Sequence, residues 1–231
     1  MRLPGVGRRA CEAMLTVVDS QDRRSRILLA AAALFLEKGY AGVSMEDVLS
    51  EVGGSKSTLY RYFTDKTALF RAAVEMLIDE RSRPLRTFQP GDSDVAETLR
   101  EYGRHFADIV LAPGAIALHR LVTAEAERVP GLGQTFYEHG PAFGNALMGD
   151  YLRGLCEAGV IEVPDPLLAS AQLYQAMLGA LQMRLLINAP APSSAETELS
   201  IANAVETFLN GALPRASAAR GRGRPSVAKA R

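Results

Sequence analysis

Between Asp22 and Phe63 an apolar repeat of helical period is cut by glycines and capping residues so often that only three helices fit, two of them short. Ile27, Ala30, Ala31, Leu34 and Phe35 recur at i, i+3, i+4, i+7 and i+8, one face of a helix that Gly39 should stop after Lys38. Ser44 with Asp47 three residues on predicts a capped helix through Val52, broken by Gly53-Gly54. Ser55 then caps a third helix to about Phe63. Three helices in such quick succession, the last two parted by a tight turn, fit a helix-turn-helix over about 44–63.

At about 100° per residue, Leu59 and Phe63 share one face of the third helix and must look inward, beside Val48 and Leu34. Ser57, Thr58 and Arg61 then point outward, flanked by Lys56, Tyr60 and Tyr62. Such a face suits duplex DNA: a guanidinium forks onto guanine, hydroxyls bond base edges, and tyrosines reach phosphates on rigid arms. Lys66, a cation in the first turn of the next helix, opposes its own dipole and reads as a phosphate contact. An ordinary helical subdomain with a polar outer face has the same spacing.

The helical reading continues to the end of the chain. A helix from Thr64 or Asp65 should end before Pro84, and 84–93 reads as a loop. Asp94 with Glu97 caps a helix to about Leu111, and Pro113 opens another ending near Val129-Pro130-Gly131. A segment from about Leu132, interrupted at Gly140-Pro141, reaches Gly159. Asp165-Pro166 opens a long helix to about Asn188, and Ser193 with Glu196 caps a last one ending near Gly211. No stretch alternates with period two, so the fold class is all-α. The division expected is an arm at 1–21, a DNA-binding domain at 22–72, a ligand-binding and dimerisation domain at 73–211, and a basic tail at 212–231.

Charge follows this division. The formal total is zero, yet Met1–Ala72 carries +3, Ala73–Leu209 carries −9 and the rest +6. Basic ends around an acidic middle suggest that only part of the molecule meets nucleic acid. The longest apolar run, Ile27 to Leu36, is about half of what spans a bilayer, and no apolar run follows the basic N-terminus, so a cytoplasmic protein is expected. Cys11 and Cys156 form no metal spacing, and His105, His119 and His139 show neither such spacing nor an evident carboxylate partner. No metal or cofactor is expected. No phosphate loop, Gly-x-Ser-x-Gly, His-Glu-x-x-His or supported carboxylate pair suggests an enzyme.

The stretch from Arg26 to Ala72 resembles the DNA-binding domain of the tetracycline-repressor (TetR) family. The resemblance rests on Ile27-Leu28, Ala31-Ala32, Leu34-Phe35, Lys38-Gly39-Tyr40, Ser44-Met45, Val48, the unbroken run Gly53 to Phe63, Lys66 and Leu69-Phe70. It implies a homodimer with its third helices in successive major grooves of a near-palindromic operator. It also implies DNA contacts at Ser44, Lys56, Ser57, Thr58, Tyr60, Tyr62 and Lys66, to which the helix's own cap and outer face add Ser55 and Arg61 as candidates. Gly54 departs from the family, which usually has a small apolar residue there, and a second glycine should loosen the turn. Arg120-Leu121-Val122, Ala124-Glu125-Ala126, Pro130, Phe136-Tyr137, Gly140-Pro141, Leu152 and Asp165-Pro166 resemble the AefR/AcrR-like branch. That likeness implies a small-molecule effector among the middle helices and dimerisation through about 141–158 and 165–188.

Candidate effector contacts are Phe106, Ile109, His119, Val122, Phe136, Tyr137, Phe143, Tyr174 and Met177, walls suited to a lipophilic effector or to plain core. Arg220-Gly221-Arg222-Gly223-Arg224-Pro225 resembles an AT-hook core, a minor-groove element, and equally suits a nonspecific electrostatic tail. The function expected is a DNA-binding regulator, a repressor by the commoner sign in the family, released by its effector. Gating by a protein partner, or a tail that is the main DNA contact, stands as the alternative.

Overall fold

A computed structural model describes residues 22–87 and 94–212 of the 231-residue chain. The arm at 1–21, most of the expected 84–93 loop and the basic tail with Arg220 to Pro225 lie outside the described residues. Within them the chain is all helix and turn, without strands. In order come α1 (Arg23–Lys38), α2 (Met45–Val52), α3 (Lys56–Tyr62), α4 (Lys66–Thr87), α5 (Val95–Val110) and α6 (Pro113–Glu125). Then follow α7 (132–157), α8 (166–186) and α9 (Ser194–Ala212). No single described helix is long and apolar enough to cross a membrane.

The capping residues read from the sequence start these helices. Ser44 and Asp47 form a reciprocal box, Asp47 N–H donating to Ser44 Oγ at 3.1 Å and Ser44 N–H to Asp47 Oδ2 at 2.7 Å. That bonding holds the Asp47 carboxyl below its ordinary range. Asp65 accepts from Ala68 N–H at 2.8 Å, Asp94 from Glu97 N–H at 2.9 Å, and Asp165 from Leu167 and Leu168 N–H at 3.0 Å. Ser193 and Glu196 exchange the same pair of bonds at the start of α9.

Two helix limits differ from expectation. Helix α4 does not stop before Pro84 but runs through it to Thr87. A proline there forfeits one helical bond and crowds the carbonyl four residues back. Continuation also buries Leu85, 4% exposed, in a core that a break would leave unfilled. Nor does Gly140-Pro141 interrupt the chain: Glu138–Ala142 is a π-helical turn inside a continuous α7. A widened turn makes room for the Pro141 ring. A second π-helical turn, Gln175–Gly179, lies inside α8.

The helices close around two cores. The first gathers Ile27, Phe35, Val48, Leu59, Phe63 and Phe70 from the N-terminal helices, and continues into Leu118, Val122 and Leu132 of α6 and α7. Phe35, Tyr40 and Phe70 form an aromatic triangle, with Phe35–Phe70 centroids 4.6 Å apart. The second packs Leu99 and Phe106 of α5 against Met148, Leu152, Leu173, Met177, Ile201 and Val205. Helix α4 belongs to both, giving Phe70 to the first and Leu85 to the second. One continuous helix thus reaches from the three-helix head to the second core.

Candidate functional site

Helix α3 is held by its apolar side. Leu59 is 2% exposed and Phe63 4%, both in the first core, while Tyr60 on the opposite side is 44% exposed. Ser57, Lys56 and Arg61 are exposed, and Thr58 and Tyr62 half-buried. Ser55 Oγ organises the first turn: it accepts from Thr58 N–H at 3.3 Å and lies 2.9 Å from both the Ser57 and Thr58 hydroxyls. The Arg61 guanidinium lies 5.3 Å from the Tyr62 ring centroid. Lys56 pairs with Glu46 of α2 at 2.6 Å, which lowers the Glu46 carboxyl and raises the Lys56 ammonium. Both partners are well exposed, so the bond adds little stability and yields easily to another anion.

Two residues hold this surface in ways the sequence did not reveal. Lys66 is half-buried, not free: its ammonium donates to Tyr40 O at 3.0 Å and sits 4.2 Å from the Tyr40 ring centroid. It therefore ties the loop after α1 to α4. Arg23 of α1 donates to Val52 O at 3.4 Å and to Gly53 O, placing a cation at the C-terminal end of α2. Gly54 has a φ of +100°, and a Cβ there would collide with the Arg23 guanidinium. The second glycine does not leave the turn slack. It admits the arginine that clamps it.

Beneath the head a cavity of about 190 Å³ opens among α4, α5, α6, α7 and α8. Five expected effector contacts line it: Phe106, Ile109, His119, Phe136 and Tyr174. Burial pushes the His119 imidazole below its ordinary pKa, and its ring lies 5.2 Å from that of Phe136. The other four lie elsewhere. Val122 faces the first core, Met177 the second, and Tyr137 is 58% exposed. Phe143 sits under the Arg86 guanidinium at 4.4 Å from its centroid. The sequence reading also missed the α4 wall: Ile78, Arg81, Ser82 and Leu85. Their spacing of three and four was the available signal, and the expected stop at Pro84 cut off its last member, Leu85. Both π-helical turns border the space, through Gly140-Pro141 and Gln175.

His139 does have carboxylate partners, both from α4: Nδ1 lies 3.2 Å from Asp79 Oδ1 and Nε2 3.7 Å from Glu75 Oε1. These three residues are close enough to share a metal ion. The geometry disfavours one, because the two ring nitrogens face different carboxylates and Arg86 also binds Asp79 at 3.2 Å. As arranged, His139 joins α4 to the π-turn of α7.

Comparison with known proteins fits this architecture. Residues 27–73 match the model of the bacterial regulatory proteins of the tetR family, and residues 97–211 match the C-terminal domain of AefR-like transcriptional repressors. The HTH-type transcriptional activator FasR of Mycolicibacterium smegmatis is 28% identical over 89 residues, 38% of this chain and 41% of that protein. The regulator YfiR of Bacillus subtilis is 34% identical over 116 residues, 48% of this chain and 55% of its own length. The chain thus spans about half the length of these curated relatives. Among solved structures, the flavonoid-responsive regulator FrrA superposes with a TM-score of 0.74 at 28% identity, covering 84% of this chain and 98% of FrrA. A TetR-family regulator from Mesorhizobium loti gives 0.70 at 29% identity, covering 84% and 100%. These relatives are regulators, not enzymes. The chain belongs to the TetR family of DNA-binding transcriptional regulators, in its AefR-like branch.

Proposed function

We propose that this regulator is a homodimeric repressor that inserts α3 into the major groove of its operator and leaves it when a small, lipophilic effector enters the cavity beneath the head. The observation that carries the reading is the division of α3. Leu59 and Phe63 are spent on the core, and the opposite face offers hydroxyls, an ammonium and a guanidinium without apolar cover. In this account Arg61 and Thr58 read bases. Ser44, Ser55, Ser57, Tyr60 and Tyr62 position the helix on the backbone, and Lys56 exchanges Glu46 for phosphate. Lys66 acts through Tyr40 and holds the head together. The DNA-binding unit is 22–72, and the cytoplasm is where the protein works.

For the dimer, exposed apolar side chains favour α8 with α9. Leu167, Leu168, Met183 and Ile187, on α8 and just beyond its end, and Leu199 on α9 are each at least half exposed. Between the two helices runs a groove lined by Ala176, Ala204 and Phe208. The expected contribution of 141–158 is less favoured, because its outer side carries Asp150, Arg153 and Glu157. Replacing Leu168 and Leu199 with Glu should yield a folded monomer in sedimentation experiments; an unchanged dimer refutes this choice.

A response to a small molecule is supported by the cavity itself, since gating by a protein partner predicts a filled interior. FrrA, by its name, responds to flavonoids. The effector would act through α4, which walls the cavity at one end and carries Phe70 in the core of the head at the other. Shifting it moves two recognition helices off the roughly 34–36 Å repeat of the major groove. The test is selection of binding sites from random duplexes with the full chain. Near-palindromic sites with half-sites about one helical turn apart support the proposal. Recovery of no preferred sequence at low salt overturns it.

A further inference from the structure

The cavity has apolar walls with one charged group among its described lining residues: Arg81 of α4. Its uncharged polar neighbours are Ser82, His119, Asn145, Gln175, Gln182 and the Tyr174 hydroxyl. Arg81 is poorly served there. One nitrogen donates to Ile109 O at 3.4 Å, a long bond, and its buried Nε has no partner. Among the described residues no carboxylate lies within ion-pair distance of it. Glu80, next in sequence, turns its Oε1 to Arg83 instead. Desolvation pushes the Arg81 pKa down, but a guanidinium keeps its charge at neutral pH.

A half-buried cation facing a largely apolar cavity without a counter-charge is unfavourable unless something else supplies that charge. A planar guanidinium is matched in shape and hydrogen bonding by a carboxylate, which it grips with two parallel bonds. We propose that the effector is an organic acid whose carboxylate pairs with Arg81 and whose apolar body fills the space between Phe106, Ile109 and Phe136. This inference rests on the cavity being the effector site. The volume sets the scale: a cavity of about 150 Å³ admits a benzene ring, so this one suits a ring or short chain carrying a carboxylate.

The test uses matched acids and neutral amides on the full 231-residue chain by calorimetry: benzoate against benzamide, and octanoate against octanamide. The expected result is that at least one acid binds tenfold or more tightly than its amide, and that Arg81→Met abolishes this preference. Because Arg81 has no counter-charge in the unliganded protein and only one long hydrogen bond, Arg81→Met should melt no lower than the wild type, which an arginine with a structural role would not allow. Equal binding of acid and amide overturns the proposal. So does an acid preference that survives in Arg81→Met, or no binding of any of the four probes at millimolar concentration.

DNA affinity measured in parallel separates this inference from the reading beneath it. An acid that binds through Arg81 without releasing DNA upholds the acid site and refutes its role as effector site. Amides that release DNA as well as the acids do the reverse.

Discussion

Replacing Gly54 with Ala should incur two costs of the same sign, backbone strain and the loss of a clamp. At φ +100° an alanine is strained by about 1–2 kcal/mol. Its Cβ would also push the Arg23 guanidinium off the carbonyls of Val52 and Gly53. Hydrogen bonds from a charged donor contribute about 1.5–3 kcal/mol when buried, and about 1 kcal/mol for a half-exposed arginine. The expected loss is therefore about 2–3 kcal/mol, and the head's core runs into α6 and α7, so the whole protein should respond. At about 2–4 °C per kcal/mol for a chain of this size, the melting point should fall by several degrees. In an Arg23→Ala background the same Gly54→Ala change should cost only the strain. Denaturant titration of the four proteins gives the coupling directly. If the turn instead takes the ordinary extended backbone open to a small apolar residue, alanine would stabilise by about 0.4–1 kcal/mol through the unfolded chain. That sign would refute the clamp.

Further consequences follow from the same head. Leu59→Ala should lose about 2–5 kcal/mol in urea unfolding, whereas Tyr60→Ala should stay within about 0.5 kcal/mol; similar losses would mean α3 is turned differently. Lys66→Met should lower the melting point while leaving the slope of log affinity for DNA against log salt unchanged. A slope smaller by about 1 would make Lys66 a phosphate contact after all. The depressed Asp47 carboxyl stabilises α2 at pH above its ordinary value of 3.8, and that contribution disappears as pH falls through the lower folded value. Asp47→Asn should accordingly flatten the fall in unfolding midpoint on acidification, and an unchanged acid limb would contradict the box. His119, kept neutral by burial, should make stability fall as pH drops below its ordinary 6.5, and His119→Gln should remove that slope.

The head was legible because its signals are local. Ser44, Asp47, Ser55 and the glycines act within four residues of where they stand, and Leu59 and Phe63 repeat at helical spacing. What escaped depends on contacts far along the chain. Nothing near Arg23 in sequence marks it as the clamp on a turn 30 residues away, and Lys66 reads as free until Tyr40 is folded against it. Proline misled twice for one reason. The local cost at Pro84 and Pro141 is real, but burial of Leu85 and a π-helical turn outweigh it. That extension of α4 carries Leu85 into the cavity wall, one turn beyond Arg81 and Ser82, which the expected helix already contained. On α7, Phe136 lines the space while Tyr137, about 100° further round the helix, stays outside.

The most direct trial is a comparison of Arg61→Ala and Tyr60→Phe on the preferred duplex and on a scrambled one at a single salt concentration. If the outer face of α3 is the reading surface, Arg61→Ala should erase about 1–3 kcal/mol of the difference between the duplexes, while Tyr60→Phe should weaken both equally. Identical effects of the two changes on both duplexes, with folding intact, would mean that this helix does not read the sequence.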